Sequence, residues 1–76
     1  MKARVITSDE SKLIGFRIAG IKGEKITNKE SFIEFFKNCN DDSIALIIIT
    51  SELYDKYTHV IEEFRNEHEK PLIVRI

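Results

Sequence analysis

The chain has 76 residues, 42% of them hydrophobic and 33% charged, with a formal net charge of -1 and one cysteine. A chain this short holds a single domain and buries roughly 60% of the surface its unfolded form exposes, so a partner can supply part of its stability. Twelve basic residues against thirteen acidic ones, interspersed along the chain, leave no excess positive field for a phosphate backbone, which excludes nucleic acid as the expected partner.

The longest apolar run, Ile44 to Ile49, is far below the roughly 20 residues that span a bilayer, and Met1-Lys2-Ala3-Arg4 leads into no signal-type apolar stretch. These signals describe a cytoplasmic chain with no direct membrane insertion. Cys39 has no second cysteine to pair with, which fits a reducing compartment, and it reads as a small buried apolar residue.

In chain order, Ala3 to Thr7 is a β-branched run that predicts a first strand, and Ser8-Asp9-Glu10-Ser11 supplies helix N-caps. From Ser11 to Ala19, Ile14, Ile18 and Ile21 recur at i, i+4 and i+7 with Leu13 beside them, while Phe16 projects roughly 160° away at 100° per residue. That spacing predicts a core stripe of isoleucines with Phe16 off it. Gly20 is the expected left-handed cap, and Glu24 to Ile26 a short charged strand suited to a sheet edge.

Thr27-Asn28-Lys29-Glu30 matches a capping box and starts a second helix. Phe32, Phe35, Phe36 and Cys39 form its apolar stripe until Asn40-Asp41-Asp42-Ser43 breaks the pattern. Ile44 to Ile49 is apolar at every position, which predicts a central parallel strand covered on both faces. Thr50-Ser51 caps a third helix with the stripe Leu53, Tyr57, Val60, Ile61 and Phe64, and Pro71 ends it before a last strand, Leu72 to Ile76.

The order β-α-β-α-β-α-β, with no hairpin signal, requires right-handed parallel crossovers. The predicted fold is α/β: one domain over residues 1–76 with a four-stranded parallel sheet in the order 2-1-3-4 and helices on both faces, a receiver-like or flavodoxin-like three-layer sandwich.

Ligands of such sheets bind where strands one and three end, here between Ser8-Asp9-Glu10 and Thr50-Ser51-Glu52. Three carboxylates repel a phosphate, and the residues read more simply as helix caps. Asp9 and Glu10 can imitate the magnesium-binding acids of a phospho-receiver domain, but Thr50 stands where its phosphoacceptor aspartate belongs, and no fifth strand carries its lysine. Gly15, Gly20 and Gly23 fit neither a dinucleotide fingerprint nor a P-loop. His59, His68 and Cys39 have no metal-ligand spacing, and no serine or cysteine has a recognisable base. No catalytic residue, cofactor or metal ligand is expected.

The segment Gly15-Phe16-Arg17-Ile18-Ala19-Gly20-Ile21-Lys22-Gly23, set just after Val5-Ile6-Thr7-Ser8-Asp9-Glu10, resembles the F subunit of the V-type and A-type rotary ATPases. Ile47-Ile48-Ile49-Thr50-Ser51-Glu52 and Pro71-Leu72-Ile73-Val74 match further segments, so the resemblance covers the whole chain. It implies a receiver-like fold without receiver chemistry. The implied role is that of a non-catalytic rotor component of the central stalk, bound to the coiled-coil D subunit and peripheral to the membrane. There it helps couple ATP hydrolysis or synthesis to proton or sodium transport. Family members continue beyond the fourth strand into a C-terminal helical tail, which is absent from this sequence ending at Ile76.

Phe16 and Arg17 are the first candidates for partner contacts and Lys22 a weaker one, because Phe16 stands off the predicted core stripe and Arg17 can reach carboxylates on a neighbouring helix. Two alternatives remain open at this point. One is a receiver-like signalling module that acts by protein contact without a phosphoacceptor, and the other an enzyme working at the strand-end crevice.

Overall fold

The computed structural model describes residues 2–39, 43–69 and 71–76. The elements follow as β1 (Lys2–Thr7), α1 (Glu10–Ile18), β2 (Lys22–Lys25), α2 (Lys29–Asn38), β3 (Ile44–Ile49), α3 (Ser51–Lys56), α4 (Thr58–Glu67) and β4 (Leu72–Arg75). The four strands form one parallel sheet in the order β2-β1-β3-β4, as the crossover argument requires.

Strand register assigns the faces, because paired residues project to the same side and successive ones alternate. Ile6, Ile47, Ile49 and Ile73 share one face and pack with Phe32, Phe35 and Phe36 of α2 and with Leu53, Tyr57, Ile61 and Phe64 of α3 and α4. Aromatic rings tie these helices together: Phe36 lies 4.8 Å from Phe64 and Phe32 4.6 Å from Tyr57, centroid to centroid. Cys39 is buried in the same cluster.

The other face is covered differently from the sequence expectation. Among the described residues only α1 lies on it, with Leu13 over Val5 and Gly23. Leu46 and Ile48 are half-buried, and Leu72 and Val74 are 66% and 36% exposed. The all-apolar β3 is therefore not fully covered on both faces. One nine-residue helix shields the β1–β2 half of the sheet, and nothing described shields the rest.

The α1 stripe also differs. Leu13 is buried and Phe16 half-buried, whereas Ile14 is 50% and Ile18 83% exposed. Apolar residues occur all round this helix, so periodicity alone admits two stripes, and the approach of Leu13 to Gly23 selects the one centred on Leu13. At its end Gly20 takes φ 85°, and the Gly20 and Ile21 amides donate to the carbonyls of Arg17 and Phe16, a Schellman cap.

Two further boundaries shift. The capping box of α2 uses Asn28 and Ser31, one residue beyond the predicted Thr27–Glu30 pair. The predicted third helix divides at Tyr57, where the Thr58 hydroxyl takes the Tyr54 carbonyl at 2.8 Å, the acceptor a continuous helix would give to a backbone N–H. The break predicted at Asn40-Asp41-Asp42 lies outside the described residues.

Candidate functional site

At the carboxyl end of β1 the polar side chains serve the backbone, whereas at the end of β3 Thr50 takes the N-cap position of α3 but makes none of the side-chain cap bonds predicted for it. Asp9 is the N-cap of α1: its Oδ1 accepts from the Ser11 amide at 2.9 Å and from the Ser11 hydroxyl at 2.6 Å. The Ser11 hydroxyl, followed by its amide, holds the exposed Asp9 carboxyl below its ordinary pKa. The Asp9 amide in turn donates to Thr7 Oγ1 at 3.0 Å, and Glu10 approaches Lys25 at 3.9 Å. Both acids that could imitate a magnesium site are thus engaged locally.

Across the crevice Thr50 is buried, and its Oγ1 meets no hydrogen-bond partner among the described residues. No three His, Cys, Asp or Glu side chains converge among the described residues, and no helix there is long and apolar enough to cross a membrane. His68 lies over Phe64, ring stacked on ring at 4.5 Å, with Nδ1 3.2 Å from the Phe64 carbonyl oxygen. A groove between α2 and α4 has Phe36 and Phe64 in its floor and Lys37, Glu63 and Glu67 among its lining residues.

The three predicted contact residues separate into two groups. Arg17 and Lys22 are exposed and line one shallow depression with Gly20, Ile21 and Gly23, at the foot of β2. Lys22 also borders an adjoining depression with Lys2 and Arg4, so four cations gather round the Gly20–Gly23 turn. Phe16 lies apart from them. Glu10 against Lys25, and Arg17 beside Lys22 and Gly23, mark the flank of α1 that faces β2. At 100° per residue Phe16 turns about 60° from Leu13 in the opposite sense to both, toward β3.

Periodicity missed the uncovered sheet face. Its sequence signal is the alternation Leu72, Val74, Ile76 in the last strand, which places an apolar row on one side.

The family model for the ATP synthase (F/14-kDa) subunit matches residues 5–76. The chain belongs to this family. A curated relative, the F subunit of the A-type ATP synthase of Methanothermobacter thermautotrophicus, is 26% identical over 72 residues, which cover 93% of this chain and 68% of that protein. No solved structure matches significantly. In this member of the family the Gly15–Gly23 segment, which carried the resemblance in sequence, forms the last turn of α1, its Schellman cap and the first residues of β2. In three dimensions it is a surface with a cationic side and an aromatic side.

Proposed function

We propose that this chain is a non-catalytic rotor component of the central stalk of a V-type or A-type ATPase. In this reading it binds the coiled-coil D subunit and helps couple ATP hydrolysis or synthesis in the soluble head to proton or sodium movement. The observation that carries the reading is the family match over residues 5–76. Local use of Asp9 and Glu10, and a threonine at position 50, are in keeping with a receiver-like fold that acts by contact. Such a role asks the domain for shape and surface, placing it beside the membrane through its complex. Phe16, Arg17 and Lys22 are the proposed contacts, the two cations meeting carboxylates of the neighbouring helices.

Co-expression with the D subunit followed by size-exclusion chromatography tests this. Co-elution as one complex is expected, and separate elution would overturn it. Incubation with magnesium and a small phosphodonor separates it from the signalling alternative. No aspartyl phosphate is expected, and its appearance would sink the rotor reading.

A further inference from the structure

The strand β2 is one edge of the sheet, and among the described residues nothing pairs with its outer side. In a parallel strand each residue turns both main-chain groups to the same neighbour, and successive residues alternate. The Ile26 amide donates to the Thr7 carbonyl at 2.9 Å, so Lys22, Glu24 and Ile26 serve β1. Gly23 and Lys25 therefore turn their N–H and C=O groups outward, a short row open to another strand.

Beside that row stands the flank of α1 that carries Ile14 and Ile18, two isoleucines of the predicted stripe. Counted from Leu13 at 100° per residue, Arg17 lies at about 40°, Glu10 at about 60° and Ile14 at about 100°, all in the sense that leads to β2, with Ile18 higher on the same side. Both isoleucines are exposed. This helix thus has a second apolar stripe, separate from the Leu13 side that packs on the sheet and directed past the open edge.

The surface complements itself. A two-fold axis perpendicular to the sheet, passing beside Gly23, sets β2 antiparallel to β2 of a second copy about 4.8 Å away. Leu13 reaches both Val5 and Gly23, which puts α1 above the gap between β1 and β2. Its symmetry mate then lies about 10 Å away, the ordinary spacing of packed helices. Ile14, next to Leu13 and level with Gly23, meets its own counterpart near the axis, and Ile18 flanks it.

Charge selects the register. With Gly23 opposite its counterpart, Lys22 stands opposite the counterpart of Glu24 on both sides of the axis. Arg17, at the foot of one α1, comes alongside the Glu10 end of the other. Centring the seam on Glu24 or on Lys25 instead would set like charges directly opposite, which is unfavourable. Hydrogen-bonding row, apolar stripe and charge order each find their complement on the same surface, as an isologous interface requires.

We propose that two copies of this chain associate through their β2 edges and α1 flanks, joining two four-stranded sheets into one. The strand of four residues and the helix of nine each run about 13 Å. Such a seam is well below the roughly 800 Å² per partner of a permanent interface, so the pair exchanges with monomer. Arg17 and Lys22 are covered in the pair, so pairing and a stalk contact through those cations use one surface in turn. That consequence rests on the stalk reading; the pairing itself does not.

Sedimentation equilibrium of the full chain on its own, from about 10 µM to about 1 mM, tests it. A reversible monomer–dimer equilibrium is expected within that range, and a monomer throughout overturns the proposal. Glu24→Lys and Lys22→Glu should each weaken the dimer about tenfold, and the double variant Lys22→Glu/Glu24→Lys should restore it, because the swap re-forms both cross-strand pairs. Single variants that dimerise normally, or a double variant no stronger than either single, overturn the seam. Under mild oxidation Ile14→Cys should give a disulfide-linked dimer, with Cys39 buried, while Leu72→Cys on the opposite edge strand should not. No link at position 14, or one at position 72 just as strong, refutes the pairing whatever the outcome of assembly with the D subunit.

Discussion

Leu13 lies directly over Gly23. A methyl group at Gly23 would stand 2.5 Å from Leu13 Cδ1, 2.5 Å from Val5 Cγ1 and 2.8 Å from the Val5 carbonyl oxygen. This contact fixes α1 on the sheet and decides which of its apolar residues face inward. Gly23→Ala should therefore cost about 2 kcal/mol, the scale of overpacking where backbone must move. Gly15→Ala should have the opposite sign, stabilising by about 0.5–1 kcal/mol, because it gains helix propensity in open space. Urea denaturation of both variants checks the pair; equal effects would contradict the packing described.

Phe16 is half-buried on the β3 side of α1, whereas Phe32 is fully buried between α2 and the sheet. Phe32→Ala should cost about 4 kcal/mol, and Phe16→Ala about 1 kcal/mol, since part of its ring already meets water. The same Phe16→Ala variant should weaken the complex with the D subunit. Thermal melts of the free domain beside binding measurements distinguish the roles: a loss at Phe16 as large as at Phe32 would make it a core residue.

Thr50 buries a hydroxyl without a described partner at the end of β3. Replacing an unsatisfied hydroxyl by a methyl removes its desolvation cost while keeping the β-branched shape. Thr50→Val should thus stabilise the domain by about 1 kcal/mol. A clear destabilisation in denaturant titration would mean that the hydroxyl is bonded in solution.

Asp9 supplies a pH dependence whose sign follows from its cap. Its folded pKa lies below its unfolded one, so its contribution is fully present above the unfolded value near 4. It is lost as pH falls through the folded value. Asp9→Asn keeps an oxygen acceptor for the Ser11 amide but no titrating charge. The wild-type advantage in melting temperature over Asp9→Asn should be largest near neutral pH and vanish in acid. An advantage that persists unchanged to pH 2 would remove Asp9 from the account.

Much of this protein was legible in its residues. The Phe32, Phe35, Phe36, Cys39 stripe and the Leu53, Tyr57, Ile61, Phe64 stripe bury as their period dictates, because each is the single apolar face of its helix. Crossover handedness with the polarity of β2 yields the strand order, because few parallel topologies satisfy both. At the strand ends the sequence signalled the Asp9 cap of α1, whereas Thr50, read as a cap of the third helix, makes no side-chain cap bond. What periodicity could not resolve was α1, where Leu13, Ile14, Phe16 and Ile18 offer apolar character in every direction.

Sequence alone therefore determined the elements, their order and the family, all properties written in local pattern. Tertiary structure decided which side of α1 is buried, that Arg17 and Lys22 line one depression while Phe16 turns away from it, and that no described element covers the β3–β4 half of one sheet face. The reason is physical: an apolar residue records that it can be covered, but what covers it depends on which neighbour approaches. At β3 and β4 no element among the described residues arrives, and Leu72 and Val74 stay exposed.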